Sequence, residues 1–174
     1  RKRPPKLQYV TASRGRTPLK HCQICEVIAP PRSVHCGTCN NCVMRYDHHC
    51  PWVGTCIGLR NYGSFWRFLT AVFVLNCIEI YMPSHYLLAS AFDKDSLWTA
   101  IVDAPIAVAS LVYVVVGVFF TSGMQCYHSY IAARNETTYE SIGRQWHLRR
   151  NPYRRGFRAA WRLLCTRPPP SGIR

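Results

Sequence analysis

Acidic residues are scarce in this chain: eight Asp and Glu stand against 22 Lys and Arg over 174 residues. The shortage is uneven. Residues 1–66 and residues 134–174 each hold two acids against ten bases, whereas residues 67–133 hold four acids against Arg67 and Lys94. Two basic ends flank an apolar middle, which favours a lipid bilayer over nucleic acid as the anionic surface. An initial Met and a visible signal peptide are also lacking; the opening "RKRPPK" reads like the interior of a longer protein, so the sequence is read as a fragment. Apolar residues are thin in residues 21–64, a stretch rich in Gly, Pro and Asn. The whole chain is long enough for one ordinary domain, but this stretch cannot fold around a hydrophobic core, so metal has to hold it.

Cysteine is plentiful. Seven of the ten fall between Cys22 and Cys56; Cys77, Cys126 and Cys165 are scattered. Tight C-x-x-C pairs with nearby histidines point to metal rather than disulfides, and hence to a reducing, cytosol-facing setting. The spacing then sorts the ligands. Cys22, Cys25, His35 and Cys42 form one set, and a shift of 14 residues reproduces every gap in Cys36, Cys39, His49 and Cys56. Two Cys3His sites for structural Zn2+ follow, with the chain weaving between them. Taking His48 in place of His49 breaks the repeat by one residue.

Asp47, His48 and Cys50 are left over. A thiol near an imidazole that itself sits beside a carboxylate has the composition of an activated nucleophile. His48 can take the thiol proton, Asp47 can fix the imidazole's tautomer, and a neighbouring imidazolium favours thiolate. The competing reading makes Cys50 a spare thiol in a structural zinc module.

Two apolar runs follow, residues 65–91 and 97–127, each long enough to cross a bilayer as helix. The link at 92–96 is short, so they form an antiparallel hairpin. A pair of buried soluble-core helices is disfavoured, because no amphipathic partner exists elsewhere to cover them. Basic flanks put both chain ends in the cytosol and the link in the lumen. Asn76, Glu79, Pro83 and His85 interrupt the first span and imply further helices beside it. The remaining divisions are a lead-in at 1–20, the zinc segment at 21–64, a cytosolic region at 128–165 containing a short basic amphipathic helix at 157–165, and a tail at 166–174. Cys165, at the end of that helix, is a candidate for secondary S-acylation. Cys50 lies fifteen residues before the first span. A thiol nucleophile there suits a thioester whose acyl chain sits in the bilayer and whose polar leaving group stays in the basic cytosolic region, and acyl-CoA fits.

"CQICEVIAPPRSVHCGTCNNCVMRYDHHCPWVGTCIGLRNYGSF" resembles the cysteine-rich domain of the DHHC protein S-acyltransferases, the palmitoyltransferases; "TTYE" at 137–140 and "NPYRRG" at 151–156 resemble that family's later motifs. The lead-in "RPPK…LKHC" resembles the subfamily that acylates Ras-like proteins with an accessory subunit. The resemblance implies a mainly α membrane protein of four spans, of which this chain holds the third and fourth, with a two-zinc cytosolic domain before them. It implies autoacylation of Cys50 by acyl-CoA, then transfer to a cysteine of a membrane-associated protein, on the cytosolic face of the Golgi or endoplasmic reticulum. Cys50 would be the acyl-enzyme residue, His48 the base and Asp47 its orienter, with Thr138 near Asp47 and Asn61 and Asn151 in support. An acyl-chain wall would run from Trp52 through Phe65, Phe68, Leu69, Val72 and Leu75, which recur at helical spacing. Glu79, Pro83 and the basic "YRRG" depart from the family's pattern and leave chain-length preference and partner open. The alternatives are an inactive relative and a membrane-anchored zinc module for anionic partners. For nucleic acid the aromatics are too few, only Tyr46 and Trp52 near the zinc sites, so no nucleic acid is expected.

Overall fold

The computed structural model describes residues 9–12, 15–148, 150–154, 156, 158, 162, 164 and 165. They divide into two compact units, one up to Phe65 and again from His128, the other Trp66–Tyr127.

The first unit is built from short antiparallel hairpins. Within the lead-in, β1 (Tyr9–Ala12) pairs with β2 (Gly15–Pro18). Three more hairpins then repeat one design: β3 (Lys20–Cys22) with β4 (Val27–Ala29), β5 (Val34–Cys36) with β6 (Asn41–Val43), and β7 (His48–Cys50) with β8 (Thr55–Ile57). In each, a cysteine ends the first strand, Cys22, Cys36 and Cys50, and faces Val27, Asn41 and Thr55 in the same register. Each turn closes through one residue of positive φ, Glu26 at 54°, Asn40 at 48° and Gly54 at 68°. Left-handed backbone at a fixed position is what a tight four-residue turn demands, and only the third copy meets it with glycine, at no steric cost. The hairpins carry almost no apolar core. All ten cysteines are free thiols, so no disulfide closes them either.

The first unit also contains α5 (Thr138–Ile142), a short helix that follows the four longer ones α1–α4 in the chain. Thr137 caps it, accepting from Glu140 N–H while the Glu140 side chain accepts from Thr137 N–H, a reciprocal capping box.

The second unit is helical. α1 (Tyr62–Glu79) enters it from the first unit, and α2 (Tyr81–Asp93), α3 (Leu97–Asp103) and α4 (Pro105–Ala133) follow. Within the run expected at 65–91 the helix is interrupted only in its hydrogen bonding: Pro83 cannot donate to the Glu79 carbonyl, while Ile80 keeps helical angles (φ −61°, ψ −28°) and donates to the Asn76 carbonyl at 3.2 Å, so Tyr62–Asp93 continues as one helix. The run expected at 97–127 divides at Ala104, which leaves the helix (φ −125°, ψ 56°) because it precedes Pro105, the first residue of α4. Gln125 donates to Thr70 (2.9 Å) and Asn76 to Thr121 (3.3 Å), so α1 and α4 run antiparallel. A Cβ on Gly117 would lie 3.3 Å from Asn76 Nδ2, so glycine permits this close approach.

Among the described residues two helices are long and apolar enough to cross a membrane, Tyr62–Asp93 and Pro105–Ala133. Only 11% of the most apolar stretch of either is buried, far less than a soluble-core helix would show. Glu79, Pro83 and Tyr86 line a cavity of about 970 Å³ together with Asp103, Pro105 and Tyr113. The short helix expected at 157–165 and the tail at 166–174 fall largely outside the described residues.

Candidate functional site

Strand alternation sorts the ligands. In β5, His35 and Cys36 point to opposite faces, and so do His49 and its neighbours in β7. His35 joins Cys22, Cys25 and Cys42; Cys36 joins Cys39, His49 and Cys56; in each group every donor atom lies within 4.8 Å of the others. Cys25 Sγ is 3.2 Å and Cys22 Sγ 3.7 Å from His35 Nδ1. Cys39, Cys56 and Cys36 Sγ are 3.4, 3.6 and 3.8 Å from His49 Nδ1. A zinc tetrahedron with Zn–S of about 2.3 Å and Zn–N of about 2.0 Å has edges of roughly 3.5–3.8 Å, so both donor sets fit the ion. Their protonation agrees. Burial, then the neighbouring thiols, push Cys42 and Cys56 up to about 12, while the Cys39 N–H draws Cys36 down to about 6. Thiols this crowded cannot all ionise without a cation among them.

The face of β7 opposite His49 carries His48 and Cys50. Cys50 is buried. Asp47, immediately before the strand, is 1% exposed and fully engaged. Its Oδ2 accepts from His48 Nδ1 at 2.8 Å and from Thr138 Oγ1 at 2.7 Å, and its Oδ1 accepts from Thr138 N–H at 2.9 Å. Burial alone would raise the Asp47 carboxyl, but the bonds from His48 and Thr138 outweigh it and hold the pKa below its ordinary value. With Nδ1 committed to Asp47, His48 keeps Nε2 for other work. Phe65 packs edge-on against the imidazole, centroids 5.3 Å apart.

The strand pair is tied down from several directions. Asn61 Oδ1 accepts from Gly58 N–H and its Nδ2 donates to the Cys56 carbonyl, both at 2.9 Å, fastening the second metal cluster to the start of α1. Asn151 donates to the Arg134 carbonyl (3.0 Å). Arg32, which no motif had singled out, forks on to Glu140 with two bonds of 2.7 Å and donates to the Asn135 carbonyl, so it ties the loop before β5 to α5. Arg45 is buried, donates to Asn135 Oδ1 (3.0 Å) and lies 5.2 Å from the Tyr62 ring; burial lowers its pKa to about 10. His128 and Tyr62 are also new: both are buried, and the His128 ring is 5.9 Å from His48. Long-range partners such as these carry no local spacing signal.

Of the residues expected along an acyl wall, Phe65 and Leu69 are buried, Val72 is half-buried, and Phe68, Leu75 and Trp52 are exposed, Trp52 at 91%. None of them lines the 970 Å³ cavity, which lies further along the helices.

Residues 16–145 match the family described as DHHC palmitoyltransferase. The chain is 37% identical over 171 residues to protein S-acyltransferase 8 of Arabidopsis thaliana, covering 96% of this chain and 42% of that protein. It is 36% identical over 178 residues to human palmitoyltransferase ZDHHC14, covering 98% and 36%, and 34% identical over 182 residues to palmitoyltransferase ZDHHC18-A of Danio rerio, covering 98% and 38%. The chain thus spans about two-fifths of the length of these relatives.

Proposed function

The chain belongs to the DHHC palmitoyltransferase family, and on that premise we propose that it holds the reaction centre of a protein S-acyltransferase. Acyl-CoA, palmitoyl-CoA first among them, acylates Cys50, and the chain then passes to a cysteine of a membrane-associated protein. One observation carries the reading: His48 is bonded to buried Asp47 through Nδ1, on the strand face shared with Cys50 and opposite the metal ligand His49.

The steps follow from that arrangement. His48 takes the Cys50 thiol proton while the sulfur attacks the thioester carbonyl carbon. The tetrahedral intermediate breaks its bond to the CoA sulfur, and His48 returns the proton to the departing thiolate. Transfer repeats the exchange, with a substrate cysteine as nucleophile and Cys50 as leaving group. Asp47 holds the tautomer and stabilises the imidazolium, and Thr138 holds Asp47. Cys22, Cys25, His35 and Cys42, and Cys36, Cys39, His49 and Cys56, would each hold a zinc ion, which would cross-link the hairpins.

The finer assignments belong to the same proposal. Basic ends around two apolar helices support an active site on the cytosolic face, in an endomembrane such as the Golgi or endoplasmic reticulum. The chain would supply spans three and four of a four-span bundle, with Asn61 and Asn151 as struts and Trp52, Phe65, Phe68, Leu69, Val72 and Leu75 along the acyl chain. The lead-in's resemblance supports an accessory subunit. The test is intact mass of the full-length protein after incubation with palmitoyl-CoA. One palmitoyl group on Cys50, released by hydroxylamine, is expected; an unmodified Cys50 would leave only a zinc module.

A further inference from the structure

His48 has a second neighbour that the mechanism above does not use. His128, near the end of α4, is 1% exposed, and its ring lies 5.9 Å from His48 and 5.0 Å from Phe65, centroid to centroid. Tyr62, at the start of α1 and fully buried, places its hydroxyl 3.3 Å from His128 Nδ1 and 3.2 Å from the His128 carbonyl oxygen, to which it donates. The guanidinium of Arg45 sits over the Tyr62 ring. Burying an imidazole and a phenol costs free energy that a leucine and a phenylalanine would avoid while filling similar space. The polar pair is held together by its own hydrogen bonds, and what it touches is the base.

We propose that His128, anchored by Tyr62, is a positioning residue of the acyl-transfer reaction. Asp47 fixes one atom of the His48 ring, which leaves the ring free to swing about that bond. Phe65 and His128 restrict the swing, so that Nε2 stays where the thiols need it. Full burial keeps His128 itself from substrate, so it acts only through His48. The inference rests on the reading of His48 as the base.

The experiment measures acyl-enzyme formation on the full-length protein against palmitoyl-CoA concentration, with zinc content determined on the same samples. Tyr62→Phe removes a single oxygen, and His128→Leu removes the ring's polarity. Each is expected to lower the maximal rate about tenfold, the scale of one mispositioned hydrogen bond, with the KM for palmitoyl-CoA unchanged and zinc retained. His128→Asn, which keeps a hydrogen-bonding atom near the place of Nδ1, should recover most of the rate. Wild-type rates in Tyr62→Phe and His128→Leu, a raised KM at constant maximal rate, or equal loss in the Leu and Asn variants would each overturn the proposal. A wild-type protein without a Cys50 adduct, or a His48→Ala variant as fast as wild type, would instead overturn the parent reading.

Discussion

The second and third zinc-segment hairpins differ in one respect that separates scaffold from chemistry. In β5–β6, Cys36 ends the first strand and Cys39 stands three residues on, and both belong to a metal cluster. In β7–β8, Cys50 occupies the place of Cys36, with the same register and the same left-handed turn position, but the place of Cys39 is taken by Val53. His49 and Cys56 repeat His35 and Cys42 across the strands, so the third hairpin still gives two ligands. It has lost only the half of the site that would have claimed Cys50. On the proposed reading, a thiol placed as a ligand but without its partner is what serves as the nucleophile.

The sharpest break of this comparison replaces the two equivalent cysteines in turn. Cys36→Ala should lose one of two zinc ions and unfold the hairpins, because structural zinc contributes on the order of 10 kcal/mol or more to such modules. Cys50→Ala should keep both ions and its melting temperature and lose all acyl-enzyme. Metal analysis, a thermal melt and intact mass together check both. Equal zinc loss in the two variants would make Cys50 a ligand.

A second variant restores the missing partner. Val53→Cys should give Cys50 a neighbour at the Cys36–Cys39 spacing. Dissolved oxygen should oxidise the two thiols to a disulfide that masks Cys50, so acylation should fall severalfold in air and return when dithiothreitol reduces the bond. Persistent full activity under oxidising conditions would mean that the third turn does not reproduce the second.

Smaller effects are expected around Asp47. Thr138→Val removes the 2.7 Å hydroxyl bond to Oδ2 but leaves the backbone N–H on Oδ1. A net hydrogen bond contributes about 1 kcal/mol, so the maximal acylation rate should drop roughly five- to tenfold with zinc unchanged. An unchanged rate would remove Thr138 from the account.

The smallest effect is a change of preference. Each buried methylene contributes about 0.8 kcal/mol, so Leu75→Trp, by raising the floor of an acyl wall along α1, should shift competition toward shorter acyl-CoAs at unaltered Cys50 reactivity. An unchanged length profile would place the acyl chain elsewhere.

The two Cys3His clusters were legible because ligand spacing is a local property: a shift of 14 residues reproduces it without knowledge of the fold. The third copy of the hairpin was not legible as such, since Val53 breaks the ligand pattern while the register of Cys50 with Thr55 continues it. Thr138 was reached only through the family's motif; its bonds span 91 residues and leave no periodic trace. Arg32, Arg45, Tyr62 and His128 were missed for the same reason. The apolar runs were plain, but the break at Ala104 was not drawn from them, although Pro105 stood in the sequence to mark it. Asn76, one of the polar residues that imply further helices, has a partner in Thr121 on α4.

The division between scaffold and chemistry turns on two adjacent histidines, and one pair of variants tests it most directly. Zinc content and acyl-enzyme mass should be measured together on full-length His48→Ala and His49→Ala proteins. The account predicts that His48→Ala retains two zinc ions and forms no detectable acyl-enzyme, while His49→Ala loses zinc and with it the fold. Release of zinc from His48→Ala, with His49→Ala keeping both ions, would contradict it.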